Sequence, residues 1–526
     1  MKNRLFILWL FVFGLTACFD DESSLGTVKV GEIEIKGLPE KEVSIISYNG
    51  NVLQVSPDVK VGYPESEMKY AWYIYGGSFE QKSDYRAYPI GEAKELAYEV
   101  NLPSGVYTVV FEATAPNSYT QTATFSLKTS TPFSQGFYIL KETADGNTEL
   151  DLLTEDGLVG DLMESLLGAP LSGKPVGLSV IYDNGYIDEA DQEMKADNMI
   201  HVFGEQDYRA FRTEDMYQTF SRENLMFEPM AADETFCAAM QDVSGIIYLS
   251  NKGFYRSSAG VSSGKLGMPE IEGGSKFIQS LNAGMAATVF WNEETHSLCE
   301  MSAGDLAEED IWTGEAYYEL PAGIRAEDLE CLASGMNYAA SGDVAWFLCQ
   351  DRNSAKRLLF QVTAEEISFM MYAINVDVRT IIAGKHLATG SVFAGNGMDA
   401  AVIYVVDNNA LYLYDLETGT ETLLTLQGLE GEVTYISNSY LNRYNFLGRP
   451  LDGNFNNLVV ATRAGSGYKL YFYDKLVGGI PEGTAERVEE GAGTVKGVRY
   501  LSTTLTSDDW RNAMYSYAGP LYPYGD

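Results

Sequence analysis

Residues 435–457, YISNSYLNRYNFLGRPLDGNFNN, concentrate side chains that suit polar ligands. Tyr435, Tyr440, Tyr444, Phe446 and Phe455 are interleaved with Asn438, Asn442, Arg443, Asn445, Arg449, Asp452 and Asn456. Aromatic rings cover the apolar faces of a sugar or a peptide, while amides and guanidinium groups satisfy its polar atoms. Tyr440, Asn442, Arg443, Tyr444, Phe446 and Arg449 form the candidate ligand-binding set. The competing reading is core aromatics with turn asparagines.

Catalysis has less material. The three histidines, His201, His296 and His386, are far apart in sequence. No GxSxG elbow, HExxH pair or GxxxxGK[ST] loop occurs. The acidic stretch from Asp183 to Asp191 fails calcium-loop spacing, because Gly185 and Ile187 stand where ligands belong. A solvated loop is expected there. Asp242, Ser244 and Asp305 offer carboxylates and a hydroxyl without a motif. With 74 acidic residues, some carboxylate pair falls close by chance, so proximity is no evidence for glycosidase chemistry. No catalytic residue, metal ligand or cofactor is assigned. Cys237, Cys299, Cys331 and Cys349 form no CxxC pair. Buried free thiols are expected, although an oxidising compartment leaves a disulfide open.

The fifth cysteine, Cys18, has a different setting. Lys2 and Arg4 precede an apolar run over 5–15, and the small residues Thr16 and Ala17 follow. That order reads as a secretory signal peptide over 1–17. The run falls short of the roughly 20 residues needed to span a bilayer as a helix. Leu15-Thr16-Ala17-Cys18 resembles the bacterial lipobox. The resemblance implies cleavage before Cys18 and lipid on its sulfur, with an outer-membrane anchor through acyl chains alone. Asp20, Asp21 and Glu22 resemble the acidic export tag of surface-exposed lipoproteins in bacteria with Sus-type nutrient importers. Without Lys2 and Arg4, 34 basic residues face 74 acidic ones, a net charge of −40. Bulk charge of that sign disfavours nucleic acid and anionic lipid as partners.

The elements that must position these residues read as all-β. After a polar, lipidated tether over 18–30, residues 31–130 alternate apolar and polar positions in seven short runs, as a β-sandwich does. From 131 to 526 a unit recurs: apolar strand, polar or glycine turn, apolar strand. It occupies 136–153, 199–213, 245–258, 287–301, 344–363, 400–419 and 458–475. Such a hairpin cannot bury its apolar faces alone, whereas radial stacking buries them and leaves only short edges. Seven units predict a seven-bladed β-propeller, with another blade number or stacked β-domains as alternatives. Short helical inserts are predicted over 157–167, 213–227 and 363–373. Ring closure, or docking on the first domain, is the expected role of the tyrosine-rich segment 506–526.

Tyr70-Ala71-Trp72-Tyr73, the turn Leu102-Pro103-Ser104-Gly105 and the strand Val106-Tyr107-Thr108-Val109 resemble the PKD-like, immunoglobulin-type module of surface lipoproteins. Together with the lipobox and the ring, the order of parts resembles the PKD-like lipoproteins of Sus-type uptake loci. That implies a surface accessory of a TonB-dependent porin and its lid lipoprotein, handling a peptide or oligosaccharide without catalysis. A glycan- or protein-degrading propeller enzyme and an adhesin-like structural protein are the alternatives.

Overall fold

The computed structural model describes residues 33–507, apart from 48–49, 78–83, 190–191, 243–244, 259, 284, 303–312, 316, 340–341, 369–370, 398, 445–449 and 476–478. The chain divides into two compact units, Met1–Thr129 and Ser130–Asp526.

In the first unit, every apolar run read from the sequence is a strand. Val43–Ile46, Thr120–Ser130, Gly105–Thr114, Lys69–Gly76 and Pro89–Gly91 form one five-stranded sheet in that order. Two strand pairs, Glu34–Lys36 with Asp58–Lys60 and Val52–Val55 with Leu96–Glu99, complete the unit. Leu53, Val55 and Leu96 from the pair share one core with Trp72, Ile74, Val109 and Phe111 from the sheet. Trp72 is fully buried, packs on Phe111 at 4.5 Å between centroids, and donates its Nε1–H to Ala93 O at 2.9 Å. Tyr107 is buried too, with its hydroxyl donating to Pro103 O. Gly77 is required opposite it, because a Cβ there would sit 2.4 Å from the Tyr107 ring.

The second unit carries seven four-stranded antiparallel sheets among the described residues. Blades II to VII each run inner to outer in chain order. Their inner strands are Pro175–Ile187, Phe236–Asp242, Ile278–Ala283, Leu329–Ala339, Val392–Gly395 and Glu432–Leu441. Blade I takes its inner strand, Thr494–Leu501, from the other end of the unit and adds Gly136–Glu142, Thr148–Thr154 and Gly157–Val159. Thr494–Leu501 lies antiparallel to Gly136–Glu142, from Gly136 opposite Leu501 to Glu142 opposite Thr494. It also touches the inner strands of blades II and VII, which closes the ring. The closing strand therefore precedes the tyrosine-rich segment expected to close it, which beyond Ser507 lies outside the described residues.

All seven hairpins read from the sequence are second and third strands of blades. The reason is burial. Gly245–Ser250 and Val402–Asp407, both second strands, are buried at every residue. Neighbouring blades cover both faces of a middle strand, so the run is apolar up to its last residue, Ser250 or Asp407. The outermost strand of blade VII, Arg487–Ala492, alternates half-buried and exposed instead.

Of the three helical inserts, one is observed among the described residues. Leu162–Leu167 is an α-helix whose first turn is held by the buried Glu149 carboxylate, which accepts from Met163 N at 2.6 Å and Glu164 N at 3.1 Å. Residues 213–227 instead make a turn and the strand Gln218–Ser221. Residues 363–368 and 371–373 lie in the paired strands Arg357–Ser368 and Met371–Thr380. The Thr-Ala-Glu-Glu cap signal loses there to pairing along the blade, with Thr363 opposite Asn375 and Ala364 opposite Ile374.

Candidate functional site

The inner strands end on one face of the ring, and several carry a carboxamide there. Asn337 of blade V donates from Nδ2 to Ala400 O at 2.7 Å and Val402 O at 2.8 Å in blade VI, and accepts from Trp346 Nε1 at 3.1 Å. Asn396, just past the inner strand of blade VI, donates to the Tyr404 hydroxyl and to Gly479 O of blade VII, both at 2.7 Å. In each case the second strand supplies an aromatic hydrogen-bonding group two residues beyond the asparagine's own partner position.

Blade VII breaks the pattern. Asn438 pairs with Leu458, and two residues on stands Val460, which has no side-chain polar atom. Neither amide atom of Asn438 has a hydrogen-bond partner among the described residues, although Asn438 is only 3% exposed. The amide abuts Gly397, where a Cβ would lie 2.1 Å from Asn438 Nδ2. Lys475 is buried with its ammonium on Asn396 O, and burial lowers its pKa to about 7 against the pull of Asp399. Asp399 also accepts from Asn456 Nδ2.

Residues 442–444 and 450–454 belong to the connection between the first two strands of blade VII. Tyr444 bridges Pro450, and Leu451 N donates to Arg443 O at 2.9 Å, so the connection folds back on itself. Arg443 lies over the Tyr444 ring at 5.5 Å, and Tyr444 is 46% exposed. Asn442 and Arg443 are exposed as well. Asp452 fixes the base of the loop. Its carboxylate accepts from Ser502 Oγ at 2.6 Å, Thr503 N at 2.6 Å and Thr503 Oγ1 at 2.9 Å, just beyond the closing strand.

The structure thus brings Asn442, Arg443 and Tyr444 together, with Tyr440 half-buried at the end of the inner strand below them. Phe446 and Arg449 lie outside the described residues. Two aromatics of the same stretch belong to the core. Tyr435 is 1% exposed, and Phe455 stacks edge-on to Tyr500 at 4.9 Å and against Phe137 at 5.5 Å. The competing reading therefore holds for part of the segment. Asn396, Asp399 and Lys475 were not legible as neighbours, because 83 residues separate Asn396 from its acceptor Gly479.

Other polar groups serve the scaffold. The stretch expected as a solvated acidic loop instead continues the inner strand of blade II through Ile187, with Asn184 fully buried. His201 Nε2 meets Asn184 Oδ1 at 2.9 Å, and His201 Nδ1 meets the Tyr208 hydroxyl at 2.9 Å. On the opposite face, His386 Nδ1 lies 2.8 Å from Asp407 Oδ2, with its ring stacked on Tyr412 at 3.4 Å. A cavity of about 510 Å³ between blades III and IV is lined by Lys252, Glu272, Glu293 and Glu294 among others. Burial raises the Glu293 carboxyl there. Among the described residues, no three His, Cys, Asp or Glu side chains are grouped to hold a metal ion.

Residues 18–175 match the model of the PKD-like family. No curated protein matches the chain. Solved structures with a similar course include a candidate 6-phosphogluconolactonase from Bacteroides fragilis, 13% identical, covering 71% of this chain and 99% of its own at a TM-score of 0.38. A DUF4784 family protein from Bacteroides caccae is 11% identical, covers 76% of this chain and 96% of its own, and has a TM-score of 0.29. Dihydro-heme d1 dehydrogenase NirN is 10% identical, covers 70% and 75%, and has a TM-score of 0.36. At these values the ring assignment rests on the strand register described above.

Proposed function

We propose that this chain is a lipid-anchored, surface-exposed binding protein that works beside a TonB-dependent importer and its lid lipoprotein, holding a peptide or oligosaccharide on the inner-strand exit face. The observation that carries the binding reading is the exposed Arg443–Tyr444 pair, presented with Asn442 on a loop tied down by Asp452. A fixed ring, a guanidinium and an amide recognise ligands through stacking and hydrogen bonds and need no chemical step. The PKD-like match begins at Cys18, the residue that the lipobox resemblance makes the mature amino terminus.

The test is isolation of the tagged chain from outer membranes in mild detergent, read by mass spectrometry. A porin and a lid lipoprotein in comparable amounts are expected, and both should disappear with Cys18→Ala. Recovery of the chain alone would sink the accessory role and favour a stand-alone binder or enzyme. Once the importer names its cargo, Tyr444→Ala should weaken capture at least tenfold and leave the unfolding midpoint in place. Unchanged capture would remove this loop from consideration.

A further inference from the structure

Cys331 and Cys349 face each other inside blade V. They are register partners on the antiparallel strands Leu329–Ala339 and Gly342–Asp351. Among the four described cysteines, no other two are paired in register. Both are buried, Cys349 completely, in the apolar cluster that also holds Leu329, Phe347 and Leu358. Both are free thiols in this structure, with Cys331 donating to Ala333 O at 3.6 Å and the Cys349 thiol beside it. Residues directly opposite in an antiparallel pair have Cα atoms about 4.5–5.5 Å apart, within the roughly 4.4–6.8 Å that a disulfide spans. The remaining two cysteines have other surroundings. The Cys237 thiol donates to Leu249 O and Ser275 O, each at 3.5 Å, and Cys299 sits beside Ser297.

We infer that Cys331 and Cys349 are a disulfide site, joined across the first two strands of blade V when the chain folds in the presence of a disulfide-bearing thiol oxidant. One cysteine thiolate attacks the oxidant's disulfide, forming a mixed disulfide and releasing one oxidant thiol. The second cysteine then attacks the mixed disulfide and releases the other thiol. The two cysteines lose two electrons and two protons, and the oxidant gains them. Burial holds the folded Cys331 thiol well above its ordinary pKa, so exchange belongs to the folding chain, before the blade closes over the pair. The same burial then shields the bond from reductants. The site rests on the export reading only for its oxidising surroundings.

Both cysteines fall on one tryptic peptide, residues 326–352, so linkage reads as the loss of two hydrogens and as resistance to alkylation until reduction. The mature chain, unfolded and reduced, is refolded with a mixture of reduced and oxidised glutathione and then alkylated under denaturing conditions. Cys237 and Cys299 are expected to alkylate at once, and Cys331 and Cys349 only after reduction. The linked chain should show a higher urea midpoint than the reduced one, and Cys349→Ser should leave Cys331 open to alkylation. Alkylation of both Cys331 and Cys349 before reduction in the refolded wild type, or a link from either to any other cysteine, overturns the site. Refolding in vitro is indifferent to location. Linkage there with free thiols in acid-quenched cells would uphold the site and count against export instead.

Discussion

Burial, rather than a charged neighbour, sets the chemistry of His201. Its two ring nitrogens are occupied by Asn184 and Tyr208, and desolvation lowers its pKa from 6.5 to about 3. The folded state thus keeps the imidazole neutral where the unfolded chain protonates it. Between about pH 3 and 6.5 the unfolded state binds the extra proton, so stability is fully present above that window and falls as the pH drops through it. The slope approaches about 1.4 kcal/mol per pH unit within the window. Urea unfolding of the ring at pH 7 and pH 5 should show a larger loss for the wild type than for His201→Gln. Equal losses would mean that another group carries the acid sensitivity. Asn438 makes the complementary point about single residues. A carboxamide that is saturated in blades V and VI is left bare in blade VII by one valine, Val460.

Elements here are held by ties that cross sequence. Beyond the bridge between Tyr444 and Pro450, the described part of the loop over 442–454 is held by Asp452, whose carboxylate takes three bonds from Ser502 and Thr503. Hydrogen bonds to a charged acceptor contribute about 1.5–3 kcal/mol each when replacement strands the donors. Asp452→Ala should therefore lower the stability of the ring by at least about 2–3 kcal/mol, measured by urea denaturation. It should also weaken capture through Tyr444, since the platform loses its footing. A variant with wild-type stability and capture would show that the loop is anchored elsewhere. The hairpin Arg357–Ser368 with Met371–Thr380 teaches a related lesson. Four residues that suit a helix start become strand because the adjoining blade strand offers continuous pairing.

For the ring as a whole, closure is the decisive contact. Phe137 of blade I packs at 4.9 Å against Phe472 of blade VII and at 4.9 Å against Tyr500 of the closing strand. Nearby, the buried Lys141 ammonium lies 2.6 Å from Asp151, whose other oxygen accepts from Tyr468 of blade VII at 2.8 Å. Val498 sits in the same cluster, and its N–H donates to the Tyr435 hydroxyl at 3.2 Å. Val498→Asp would place an unpaired charge in that cluster, at a cost of several kcal/mol. The ring should then unfold at a much lower urea concentration. The sandwich core around Trp72 draws all its members from residues 33–127, so a protease-resistant fragment of that unit should persist. A wild-type ring midpoint would show that closure is not what holds the blades.

What the sequence determined by itself was whatever a short contiguous stretch encodes. The strands of the sandwich and the seven middle hairpins are visible as apolar runs because each is covered on its own faces, whichever neighbour does the covering. The inner strands were illegible by the same logic, since Asn337 and Asn396 bring in side chains whose partners lie in the next blade, and Asn438 one that no described group satisfies. Part of the candidate site could be read as composition, namely Asn442, Arg443 and Tyr444. Its separation from the core residues Tyr435 and Phe455 could not, because Phe455 packs on Tyr500 and on Phe137, more than 300 residues away, and Tyr435 is buried in a cluster with Ile139 and Val498. Only the tertiary structure decided that Asp452 would meet Ser502, that Lys475 would lie on Asn396, and that Cys331 would face Cys349. Periodicity fixes which face of a strand is buried, whereas ring closure and strand register fix which distant residue meets it there.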